Sequence, residues 1–160
     1  MRHIFKILIA VLIVQACQTE RKIDNIIVRE NSSYEYDLSK GDGFVRNTYG
    51  GIYRKFKFHK IPEAKLQQIS ELYHEKKLDT IPNGKFIFDK GRNNGPPRTA
   101  TIQVLFNDNN KPKEIRFFDN VDPNPAERMP DYTRDFYKEV TDITNTIRDS
   151  LKLISPVVYR

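Results

Sequence analysis

The chain has 160 residues, with 27 Lys or Arg against 21 Asp or Glu and a formal charge of +6. That length fits one domain, and such a chain buries enough surface to fold without disulfides. Its single cysteine rules out a disulfide framework, and its pI near 9.4 comes with no basic block or recognition motif that would make it a nucleic-acid reader.

Residues 1–16 read MRHIFKILIAVLIVQA. Arg2 and Lys6 are followed by an apolar run from Ile7 to Val14, and Ala16 precedes Cys17. A basic start, a short apolar centre and a small residue at the end describe a secretory signal. The run is too short to span a bilayer, which needs roughly 20 residues. Val14-Gln15-Ala16-Cys17 resembles the lipobox of bacterial lipoproteins, with Val14 where Leu is commonest and Gln15 where a small residue is. The resemblance implies a diacylglyceryl group on the Cys17 sulfur, cleavage between Ala16 and Cys17, and attachment to a membrane through lipid. A thioether would also remove a lone thiol from an oxidising compartment.

Residues 17–25 read as a polar, lipidated tether. Gln18 after the cysteine, in place of Asp, implies the outer membrane, with the domain facing either the periplasm or the surface. The absence of Trp and the abundance of Lys, Asn, Ile, Tyr and Phe resemble envelope proteins of the Bacteroidetes.

Residues 26–160 form the expected single domain. Ile26-Ile27-Val28 opens a strand. Tyr34, Tyr36 and Leu38 alternate with Glu35, Asp37 and Ser39, the period of a half-buried strand. Lys40-Gly41-Asp42-Gly43 is a turn. Phe44 to Tyr49 returns, Gly50-Gly51 bends the chain, and Ile52 to His59 continues. There Ile52, Arg54, Phe56 and Phe58 share one face, and Tyr53, Lys55, Lys57 and His59 the other.

A helix is expected from Pro62, with Leu66, Ile69, Leu72 and Tyr73 on its apolar stripe. Ile81-Pro82-Asn83-Gly84 closes this unit. Residues 83–98 hold a short strand from Lys85 to Phe88 and a Gly-, Asn- and Pro-rich remainder with Lys90, Arg92 and Arg98. A solvated connection and a ligand-facing loop are both open readings. Thr101 to Phe106 and Lys113 to Phe118 make a hairpin, and residues 119–130 are proline-rich and irregular. Asp131 can cap a second helix. Its stripe is Phe136, Val140, Ile143, Ile147 and Leu151, with Lys138, Glu139, Asp142 and Arg148 on the solvated side.

The order predicts an α+β fold: an antiparallel sheet from two ββα units, with two helices packed on one face. From Tyr34 to about Ser150 the layout also resembles small bacterial envelope domains of unknown function, including inhibitor-like and PepSY-like ones.

No Gly-x-Ser-x-Gly elbow or His-Glu-x-x-His spacing occurs. His59 and His74 read as exposed or boundary residues. Asp108-Asn109-Asn110 and Asp119-Asn120-Val121-Asp122 are oxygen-rich turns without the spacing of a calcium loop. No cofactor or metal is expected. Asp37 and Asp42 would make an acid–base pair only if folding brought them together.

The favoured reading is a lipid-anchored envelope lipoprotein with a non-catalytic binding or accessory domain. Its partner would be an envelope protein or ligand, with no nucleic acid, and Tyr49 and Tyr53 are its exposed aromatic candidates. The alternative is a small envelope hydrolase or ligand carrier, with Arg54, Arg92, Asp119 and Asp122 converging near the 83–98 loop.

Overall fold

A computed structural model describes residues 23–31, 33–46, 51–88, 101–108, 111–118 and 125–153. The expected signal segment, Cys17, most of the expected tether, Tyr49, residues 89–100 and 119–124, and residues 154–160 lie outside these. The fold is α+β. Strands β1 (Ile23–Glu30), β2 (Tyr34–Asp37), β3 (Asp42–Arg46) and β4 (Ile52–Lys57) form an antiparallel meander. Helix α1 (Glu63–Glu75) and a 3₁₀ turn (Leu78–Thr80) follow. Then come β5 (Phe86–Phe88), the hairpin β6 (Thr101–Asp108) and β7 (Lys111–Phe118), a short helix α2 (Pro125–Arg128) and the long helix α3 (Asp131–Ser150).

Among the described residues the strands form one seven-stranded sheet, in the order β4-β3-β2-β1-β6-β7-β5. Four strands precede α1, and three precede α3. The hairpin is joined to the meander through the antiparallel β1–β6 pair, while β5 runs parallel to β7 at the far edge. Gly84 starts that last connection. Its φ of +71° suits glycine, and its N–H donates to the Glu114 carbonyl on β7 at 2.9 Å.

Alternation along the strands aims one face of the sheet at the helices. Val28, Tyr36, Val104, Ile115 and Phe117 are all buried there. Helix α1 contributes Leu66, Ile69 and Tyr73, and α3 contributes Phe136, Val140, Ile143 and Ile147. Those are the expected stripes, with Leu72 and Leu151 half-buried at their margins. Tyr73 meets Phe106 edge-on at 4.7 Å between centroids, and Phe117 meets Tyr137 at 5.1 Å. Lys65 pairs with Glu139, and Lys76 with Asp135 at 2.9 Å, tying α1 to α3.

Three details differ from the sequence reading. Strand β1 begins at Ile23, three residues before Ile26, within the stretch read as tether. A bulge between Asp24 and Ile27, with Asn25 at φ +51°, buries Ile23 and Ile26 three apart and so breaks the period of two. Helix α2 lies in the stretch read as irregular, next to the fully buried Met129. Pro130, not Asp131, holds the cap position of α3, and Asp131 pairs with Arg134 in the first turn. No helix among the described residues is long and apolar enough to cross a membrane.

The face away from the helices carries an ionic cluster. Glu35 on β2 accepts from Arg29 Nε and Arg46 Nη2, both at 2.8 Å. Burial pushes its carboxyl up, but the hydrogen bonds and charges of Arg46 and Arg29 outweigh that and hold it below the ordinary carboxylate range. A lowered folded value means that this stabilisation is complete above the ordinary value of 4.5 and is lost as pH falls through the folded one. Glu35→Gln should therefore flatten the acid limb of a stability-against-pH curve. An unchanged slope below pH 4.5 would show that the cluster contributes nothing there.

Candidate functional site

The residues after β4 turn away from the sheet and become one wall of a groove. Phe58 N–H donates to the Gly41 carbonyl at 2.9 Å, clamping this linker to the β2–β3 turn. Gly41 sits at φ +77°, and a Cβ there would lie 2.8 Å from the Phe58 carbonyl oxygen, so only glycine lets the two backbones approach. The Phe58 ring meets Tyr36 edge-on at 6.3 Å. Ile61 and Pro62 carry the wall into the start of α1. The opposite wall is the C-terminal half of α3, with Ile143 and Ile147 towards the core and Asp142, Thr146 and Ser150 along the lip. The space between holds about 450 Å³, within the range of small-molecule sites. His59, Lys60 and Lys65 stand on the linker side.

Close to this groove is a buried polar node. Glu30, at the end of β1, is only 4% exposed. Its Oε1 accepts from the Thr144 hydroxyl at 2.8 Å, and its Oε2 from Arg148 Nη1 at 3.0 Å and the Tyr36 hydroxyl at 3.1 Å. Arg148 Nη2 also donates to Asn145. Burial, then the neighbouring Glu30 charge, push the Tyr36 phenol far above its ordinary range, so it stays protonated. A protonated phenol is a poor nucleophile. The node docks α3 onto the sheet.

Arg148 was expected on the solvated side of its helix, yet its side chain is only 17% exposed. Residue 148 lies four positions after the buried Thr144, so one turn of helix brings both to Glu30. The signal available in the sequence was a carboxylate in phase with Val28, on the inward face of β1.

The four residues proposed to converge fare differently. Arg54 is exposed on the edge strand β4, opposite Val45, with no ion-pair partner among the described residues. Arg92, Asp119 and Asp122 lie outside the described residues. The chain enters residues 89–100 from β5 and residues 119–124 from β7, at the other side of the sheet from β4. Six strand intervals separate β4 from β5, about 29 Å at ~4.8 Å each, and five separate it from β7.

Asp37 and Asp42 do face each other across the β2–β3 turn. Each is already engaged: Asp37 by the Lys40 ammonium at 3.0 Å, Asp42 by Lys57 at 3.7 Å. His59 is exposed. His74 meets the Tyr73 ring edge-on at 4.8 Å, and both its ring nitrogens are shielded from solvent without a partner among the described residues. Among the described residues no group of three His, Cys, Asp or Glu is placed to hold a metal ion. Ile52 and Tyr53 are both exposed on the edge strand, Tyr53 at 79%. No protein-family model matches this chain, and no curated protein sequence matches it.

Proposed function

We propose that this protein is a lipid-anchored lipoprotein of a bacterial envelope, and that its domain binds an envelope protein or ligand without catalysing a reaction. The observation that carries the anchor is the signal-like segment ending at Ala16-Cys17. Cleavage before Cys17 would leave residues 18–22 between the lipid and Ile23, where β1 begins. At ~3.5 Å per residue such a link reaches about 20 Å at most, so the domain would ride close to its membrane. One acyl chain holds a protein only marginally, and two or more hold it stably. The resemblance to the lipobox supplies at least two.

A binding role draws on two surface features. One is the groove between the β4–α1 linker and α3. The other is β4, an edge strand with Ile52 and Tyr53 exposed beside Arg54, Lys55 and Lys57. An edge strand offers unpaired backbone groups to a partner strand, and its cations favour an acidic one.

Membrane fractionation of the natively expressed protein tests the anchor. Wild type should be recovered almost entirely with membranes, and Cys17→Ser almost entirely in the soluble envelope fraction. Mass spectrometry should find a lipidated Cys17 at the new N-terminus. An intact Met1, or a variant that stays with membranes, would overturn the reading.

A further inference from the structure

We propose that the groove between the β4–α1 linker and α3 binds a single-chain amphiphile with an anionic head: one acyl chain along the apolar walls, with its carboxylate or phosphate at Lys60 and His59. This rests on the domain being a binding module and names its ligand class. The walls are supplied by Phe58, Ile61, Ile143 and Ile147. The basic lining residues, His59, Lys60 and Lys65, come from the linker and the start of α1. Lys60 and His59 are exposed there with no ion-pair partner among the described residues, while Lys65 is already neutralised by Glu139. The lining carboxylate, Asp142, belongs to α3. The groove therefore has apolar walls and, on the linker side, positive charge free to accept an anion. Its 450 Å³ is at the small end for ligand sites, which suits one chain better than two. The Gly41–Phe58 clamp and the Glu30 node hold both walls without ligand, so little ordering is needed on binding.

Titration of the full chain in amphipol with dodecanoate, dodecanol and hexanoate separates the contributions. Dodecanoate should bind saturably, dodecanol about tenfold more weakly, and hexanoate far more weakly still. Each methylene withdrawn from the groove should cost about fourfold in affinity. Thr146→Trp, from an exposed lip position, should fill the groove and abolish binding. Lys60→Glu should weaken dodecanoate by about tenfold and leave dodecanol unchanged. Both substitutions are at exposed sites, and a thermal melt matching wild type shows that the variants fold. A lysophosphatidylglycerol of equal chain length tells a phospholipid source from a free fatty acid, and saturable binding of either supports the proposal. Dodecanoate binding that is absent, or that survives Thr146→Trp, would overturn it. So would equal affinity for acid and alcohol in wild type and Lys60→Glu alike. These titrations do not depend on Cys17, so the groove and the lipid anchor can fail separately.

Discussion

Arg148→Met should destabilise the protein by about 3–5 kcal/mol, the usual cost of leaving a buried charge without its partner. Glu30 is buried at the end of β1, and Arg148 is the cation paired with it. The Tyr36 and Thr144 hydroxyls would remain as donors, but neither carries charge. Methionine keeps most of the length and apolar stem of arginine, so packing of the stem is largely preserved. The control is the double variant Glu30→Gln, Arg148→Met. It removes the uncompensated charge and should recover a substantial part of the loss. Urea unfolding of the three proteins measures both effects. A loss below about 1 kcal/mol for Arg148→Met would mean that Glu30 is hydrated or neutral in solution, and the node would no longer explain how α3 is held. Because α3 is one wall of the groove, the same variant should also weaken any ligand bound there.

Tyr73→Ala is expected to cost about 3–5 kcal/mol, the range for deleting a large aromatic side chain from a packed core. The Tyr73 ring is the point where α1, the sheet and α3 meet. It packs edge-on against Phe106 of β6 at 4.7 Å and lies 6.3 Å from Phe136 of α3. Its hydroxyl donates to Asp108 Oδ2 at 3.1 Å. Burial, then the Asp108 charge, push the phenol well above its ordinary range, so it remains a donor at any working pH. Tyr73→Phe separates ring from hydroxyl and should cost only about 1 kcal/mol, the net worth of one hydrogen bond. If the two variants were equally damaging, the hydroxyl and not the ring would be holding the layers together. Denaturant melts distinguish these outcomes directly.

Much of the architecture was legible in the chain because it depends on local periodicity. Tyr34-Glu35-Tyr36 alternates, and β2 lies where that pattern puts it. Leu66, Ile69 and Tyr73 recur at helical spacing, as do Phe136, Val140, Ile143 and Ile147, and each set is buried against the sheet. Even the three residues of β5 were readable within the 83–98 stretch. Where periodicity is broken, the elements are not legible in the chain. The bulge at Asn25 hid the first residues of β1, and four residues are too few to give α2 a recognisable stripe.

The candidate site was less legible, for a different reason. Phe58 and Ile61 adjoin one strand, while Ile143 and Ile147 belong to a helix some eighty residues further on. No motif links them in the chain; they meet because the fold lays α3 across the linker. Arg148 read as a solvated helix residue until Glu30 was placed beside it. Arg54 lies on β4, at the opposite edge of the sheet from β5, an order of strands that its neighbours in the chain do not encode.

By itself, then, the sequence determined the α+β class, the inward faces of the main elements and the signal-like N-terminal pattern. These follow from neighbours along the chain, through alternation, helical spacing and a contiguous run of residue types. The order of strands, the Glu30 node and the groove were decided only by tertiary packing. Charge pairing and cavity shape depend on residues far apart in sequence, whose approach no local pattern encodes.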